Sequence, residues 1–184
     1  ASAVARDGRA VVLSGESGSG KSTLAALLGE GDWRLMGDEF TLIDPVSGDA
    51  LAFPRAVSLK NAAIAEVAAR VEPARLGPLL AGTPKGDIRH LIPRAEALAA
   101  MHEPVRPALL LFPRFGGEAG IEPMGEGEAF VRLTEASTNY VALGEAGFTP
   151  LTRLVRETPA FGISYPDSAT GMALVEQLFA EAAR

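Results

Sequence analysis

Val11-Val12-Leu13-Ser14-Gly15-Glu16-Ser17-Gly18-Ser19-Gly20-Lys21-Ser22-Thr23 is the stretch that decides how this chain is read. Gly15, Gly20, Lys21 and Ser22 fall on the phosphate-cradling pattern G-x-x-x-x-G-K-[ST]. An apolar run precedes the glycines, and the helical-looking Ser22-Thr23-Leu24-Ala25-Ala26-Leu27-Leu28 follows them. Strand, loop and helix in that order are what the pattern needs to work. Glycines let successive backbone N–H groups turn inward around an anion, and the new helix adds its positive N-terminal end. The expected triphosphate-binding segment, for ATP, is therefore Gly15-Glu16-Ser17-Gly18-Ser19-Gly20-Lys21-Ser22-Thr23. Lys21 is expected to reach the β- and γ-phosphates, and the Ser22 hydroxyl to ligate Mg²⁺. A flexible Gly/Ser linker would carry no lysine–serine pair with an aliphatic helix behind it.

Composition bounds the rest. With 184 residues, 47% of them hydrophobic and 22% charged, the chain is expected to form one domain over 1–184 with a real core. It has no cysteine, which excludes disulfides and thiolate metal sites. No leader segment is recognisable and no apolar run reaches about eighteen residues. The expectation is thus a cytoplasmic protein with no membrane partner. A net charge of -6 argues against a nucleic-acid surface, so an anion site must supply its positive charge locally. Of the seventeen basic residues only Lys21, Lys60 and Lys85 are lysines. Lys60 and Lys85 read either as solvated surface groups or as retained functional ammoniums.

Turn and periodicity signals divide the chain. Asp7-Gly8-Arg9 reads as a hairpin turn between Ala3-Val4-Ala5 and a strand at 10–13. A helix is expected over 21–30, short strands at 33–36 and 40–43, a turn at 44–49, and a strand at 51–53. Helical periodicity runs over 61–71, then a Pro- and Gly-rich loop over 73–86, a strand at 88–92 and a helix at 93–101. Ala108-Leu109-Leu110-Leu111-Phe112 has the continuous apolar character of a strand buried on both faces. A glycine-rich, mobile-looking loop is expected at 116–127, helices at 128–143 and 149–157, a strand at 160–164 and a helix over 168–183. Strands outnumber a simple alternating βα pattern, so the fold class is α/β with a mixed sheet.

Phosphoryl chemistry also needs a carboxylate near Mg²⁺. The most apolar strand ends in Pro113-Arg114 and carries no acid, whereas Asp38-Glu39 follows the first helix and one short strand. A strand emerging beside the glycine-rich loop would set both carboxylates over the γ-phosphate. One would hold Mg²⁺, with Asp38 the expected metal ligand beside Ser22, and one would accept the proton of an attacking hydroxyl.

These features together resemble HPr kinase/phosphorylase: the loop, the Arg34-Leu35-Met36-Gly37-Asp38-Glu39 segment with Asp38 seventeen residues after Lys21, and the strand–turn–strand that follows. The chain is most similar to the short HPr-kinase-related kinases found beside bacterial peptide-modification genes. Phe53-Pro54-Arg55-Ala56-Val57-Ser58-Leu59-Lys60-Asn61, Thr83-Pro84-Lys85-Gly86 and Phe112-Pro113-Arg114-Phe115 also look like that group. The resemblance implies a phosphoenolpyruvate-carboxykinase-like P-loop domain, use of Mg-ATP, and a protein or peptide partner carrying the acceptor serine. It also leaves a homo-oligomer open. The family usually has two aspartates where this chain has Asp38-Glu39, so either acid can be the base. The family's upstream histidine would fall immediately before Ala1, and His90 and His102 read as solvated or core histidines. Arg114 resembles the family's mobile loop arginine, which closes on the phosphates, and Arg55 and Lys60 could contact phosphate or substrate.

The catalytic set expected from sequence is therefore Lys21, Asp38, Glu39 and Arg114. Two alternatives share the motifs: a small-molecule kinase on the same fold, and a non-catalytic nucleotide-gated module of a peptide-maturation system. A GTPase is disfavoured because Pro84, not Asn or Thr, precedes Lys85-Gly86-Asp87. An ABC-type ATPase is disfavoured because no Ser-Gly-Gly-Gln signature occurs.

Overall fold

The computed structural model describes residues 1–182. Its strands are β1 (Ser2–Arg6), β2 (Arg9–Leu13), β3 (Arg34–Gly37), β4 (Leu42–Ile43), β5 (Ala50–Leu51), β6 (Val57–Lys60), β7 (Leu80–Thr83), β8 (Gly86–Leu91), β9 (Arg106–Phe115), β10 (Gly120–Met124) and β11 (Ala160–Tyr165). Its helices are α1 (Lys21–Gly29), α2 (Ala62–Ala68), α3 (Ala95–Ala99), α4 (Glu126–Ala136), α5 (Tyr140–Leu143), α6 (Glu145–Glu157) and α7 (Ser168–Glu181).

The expected hairpin forms. Asp7 and Gly8 have φ of 52° and 70°, the pair of left-handed residues that a two-residue turn needs to match strand twist. Six strands build the main sheet in the order β10-β11-β9-β2-β1-β3. β2, β9 and β11 are parallel, whereas β1 is antiparallel to both its neighbours and β10 is antiparallel to β11. The fold is α/β with a mixed sheet, as expected. Because the direction reverses twice between β2 and β3, those two strands end at the same edge of the sheet.

Strand alternation sorts the core into two layers. Val11, Leu13, Leu109, Leu111, Ile163 and Tyr165 face α1 and α7. Val12, Leu110, Phe112 and Ala160 face α4 and α6 through Ala129, Leu154 and Val155. A second sheet, β6-β8-β7, packs Val57, Leu59 and Leu91 against the α1 layer, together with Val67 of α2. Glu176 of α7 ties the terminal helix to the hairpin, accepting two bonds from Arg6 (2.9 and 2.7 Å) and one from Trp33 Nε1 (2.6 Å).

Several expectations change. Residues 73–86 are not all loop: Pro73–Arg75 forms a 3-10 turn and β7 pairs with β8. Residues 116–127 are not one mobile loop either, because β10 pairs with β11 in register from Gly120↔Ser164 to Met124↔Ala160. Pro123 hides this strand from a sequence reading, yet an edge strand tolerates proline on its unpaired side. The helix expected over 128–143 breaks into α4 and α5, and α6 starts at Glu145 rather than 149, with Pro150 inside it. Val57–Lys60, unassigned from sequence, is β6. Ala183, the expected end of the last helix, lies outside the described residues.

Gly37 ends β3 where the chain must turn tightly. A Cβ there would stand 2.9 Å from the Phe40 carbonyl oxygen and 3.0 Å from that of Phe53. Neither backbone oxygen can withdraw, so Gly37→Ala is expected to lose roughly 1–3 kcal/mol of stability. Denaturant unfolding of the two proteins measures it; equal midpoints would mean the turn has slack.

Candidate functional site

The glycine-rich loop leaves β2 under main-chain control. Ser14 N–H donates to the Leu111 carbonyl at 2.9 Å, extending the β2–β9 ladder by one residue. Gly18 and Gly20 have φ of 91° and 94°, values that a side chain would strain. Helix α1 starts at Lys21, and its first helical bond runs from Leu24 N–H to the Gly20 carbonyl at 2.9 Å. No side chain caps this end, so the N–H groups of Lys21, Ser22 and Thr23 are left to an outside acceptor. Lys21 Nζ donates to the Glu16 carbonyl at 2.8 Å, arching across the mouth of the loop.

Asp38 follows β3 at the same sheet edge. It is only 3% exposed, and the Ser2 hydroxyl donates to its Oδ1 at 2.5 Å. Burial lowers the pKa of Lys21; the Asp38 charge pulls it back up and the Lys60 charge lowers it further. Lys21 therefore feels the Asp38 carboxylate and the Lys60 ammonium from a half-buried position. Glu39 separates from its neighbour: it is exposed, at a left-handed φ of 69° in the turn after β3.

Among the described residues, three buried hydroxyl oxygens at this edge have no hydrogen-bond partner: Ser14 Oγ, Ser19 Oγ and Tyr165 Oη. An unmatched buried hydroxyl costs roughly 1–3 kcal/mol, and those of Ser14 and Ser19, both on the glycine-rich segment, suit a ligand rich in acceptor oxygens. Among the described residues no group of three or more His, Asp or Glu side chains gathers as a metal cage. Asp38 and Ser22 could supply two oxygen ligands, and phosphate and water oxygens would have to complete a Mg²⁺ shell. That division suits a hard ion which keeps its waters.

Arg114 is not brought to this cluster. Rather than opening a mobile loop, it lies inside β9, paired in register with Ser164. Alternation puts it on the Phe112 face, where it lines a recess of about 130 Å³ with Glu122, Glu128 and Arg132 beside α4. Its neighbour Phe115 faces the glycine-rich loop instead. Arg55 is exposed with its guanidinium 5.8 Å from the Phe53 ring, and Lys85 is exposed in the β7–β8 turn. His90 and His102 are exposed, in line with solvated histidines. A cavity of about 400 Å³ lies at the far end of α1, where Arg75 already grips Glu30 with two 2.7 Å bonds.

Ser2 and Tyr165 are the site residues that sequence reasoning missed. Ser2 carries no local signal, since only the β1–β3 pairing sets it beside Asp38. Tyr165 ends a parallel strand at the edge where α/β sheets hold their ligands, and that position could have flagged it. No protein-family model, curated protein or solved structure matches the chain. No helix among the described residues is long and apolar enough to cross a membrane.

The lowered Lys21 pKa has a signed consequence. Between that value and the ordinary 10.5, the unfolded chain binds more protons at Lys21 than the folded one, so its contribution to stability rises with pH. As pH rises toward 10.5, denaturation midpoints should climb in the parent relative to Lys21→Met. Parallel curves would contradict the burial of this ammonium.

Proposed function

We propose that this chain is an ATP- and Mg²⁺-dependent serine kinase with a P-loop, HPr-kinase-like nucleotide domain. It transfers the γ-phosphoryl group to a hydroxyl of a protein or peptide. The observation that carries the reading is that β2 and β3 end at the same edge of the sheet, so the glycine-rich loop with Lys21 springs beside buried Asp38, whose charge acts on Lys21. The uncapped start of α1 and the unmatched Ser14 and Ser19 hydroxyls support a phosphate ligand. The sequence resemblance supports a protein or peptide acceptor.

In this reading the N–H groups of Lys21, Ser22 and Thr23, with the Lys21 ammonium, hold the phosphate chain. Mg²⁺, held by the Ser22 hydroxyl and Asp38, would neutralise charge on the β- and γ-phosphates. The acceptor oxygen bonds to the γ-phosphorus as the bond to the bridging oxygen breaks, and ADP leaves with that electron pair. Burial beside Ser2 commits Asp38 to the ion, which leaves exposed Glu39 to accept the hydroxyl proton. Lys60 adds a second positive charge near Lys21. The transition state is loose, so positioning and electrostatics supply most of the acceleration.

Incubation with γ-labelled ATP and lysate tests this. Label is expected in a peptide or protein band, and Lys21→Ala and Asp38→Asn should each lower transfer about a hundredfold or more. Glu39→Gln should lower transfer while leaving Mg-ATP affinity near the parental value. Transfer by Lys21→Ala at the parental rate overturns the assignment. Label in a low-mass metabolite would favour a small-molecule kinase, and tight binding without consumption a nucleotide-gated module.

A further inference from the structure

Tyr165 ends β11 beside the glycine-rich loop, and its ring occupies a slot made by two glycines. A Cβ at Gly171, in the first turn of α7, would stand 2.9 Å from ring carbons Cδ2 and Cε2. A Cβ at Gly20 would stand 2.6 Å from the hydroxyl oxygen itself. Phe115 meets the ring edge-on, with centroids 5.8 Å apart. The residue is 1% exposed, and its hydroxyl has no hydrogen-bond partner among the described residues. Burial, and then the charge of Glu66, push its pKa up to about 12, so at neutral pH the group is a proton donor.

A ring this tightly held keeps its oxygen aimed at one place, the Cα of Gly20. That residue is the hinge between loop and helix: it sits at φ 94° and immediately precedes Lys21. Lys21 itself bonds back to the Glu16 carbonyl. Phosphate oxygens would compete for that ammonium, and a shift of Lys21 toward them would be passed to the adjoining Gly20. Phenylalanine would fill the same slot without a buried donor, so the hydroxyl needs an acceptor in some state of the protein.

We propose that Tyr165 is a positioning residue of the nucleotide site, whose hydroxyl gains its acceptor on the main chain around Gly20 only when phosphate groups fill the loop. It acts through Gly20 on Lys21 and does not touch the phosphates. The inference rests on the nucleotide reading above and adds a strand residue outside the glycine-rich motif.

Tyr165→Phe removes the oxygen and keeps the ring. In the unliganded full chain its melting temperature should equal or exceed the parent's, because no bond is lost and an unmatched donor is removed. By calorimetry, Mg-ATP should bind the variant about tenfold more weakly, the worth of one hydrogen bond. A purely structural tyrosine gives the opposite pattern, a lower unliganded melting temperature with parental affinity, and that result overturns the proposal. Parental affinity in a variant of unchanged melting temperature also overturns it, while leaving the nucleotide reading intact. If the parent itself binds no Mg-ATP, both fall together.

Discussion

Two successive antiparallel pairings, β2 with β1 and β1 with β3, hold this candidate site together. They turn the chain around twice within its first 37 residues and return it to the edge it has just left. The loop after β2 and the acid after β3 consequently face one another across the end of β1. Ser2 stands at that end and donates to Asp38. Had β3 paired directly and antiparallel with β2, Asp38 would sit at the opposite end of the sheet.

Electrostatics and crowding then shape what the edge can hold. A chain of net charge -6 sets two of its three lysines, Lys21 and Lys60, close enough for the second to act on the first, which also feels the buried Asp38 carboxylate. Close backbone approach does the rest. Gly37 lets β3 end against the carbonyls of Phe40 and Phe53, and Gly20 lets the Tyr165 hydroxyl press against the start of α1. Neither glycine is needed for secondary structure alone. Both admit a neighbour where a Cβ would collide.

Sequence reasoning reads best where a signal is local. Asp7-Gly8, the α1 helix behind the glycines and the apolar β9 run were all legible, because turn chemistry and side-chain period act over a few residues. It failed where pairing overrides local preference. β10 contains Pro123 and follows a glycine-rich stretch, yet the free edge of β11 organises it into a strand. The same extension of β9 through Pro113 and Phe115 moved Arg114 to the face away from the glycine-rich loop. A one-residue change in strand phase is enough to do that, since successive side chains point to opposite faces.

Residues 15–23 by themselves determine a glycine-rich loop feeding a helix, because glycine freedom and a helix start are properties of contiguous residues. The adjacent pair Asp38-Glu39 could be recognised as acidic but not divided. Only the tertiary structure decided that one carboxylate is buried against Ser2 and near Lys21 while the next faces solvent. It likewise chose Tyr165 and Lys60 as neighbours of the loop and excluded Arg114. Those choices depend on strand order and phase across the sheet, which join residues too distant in sequence for any local pattern to record.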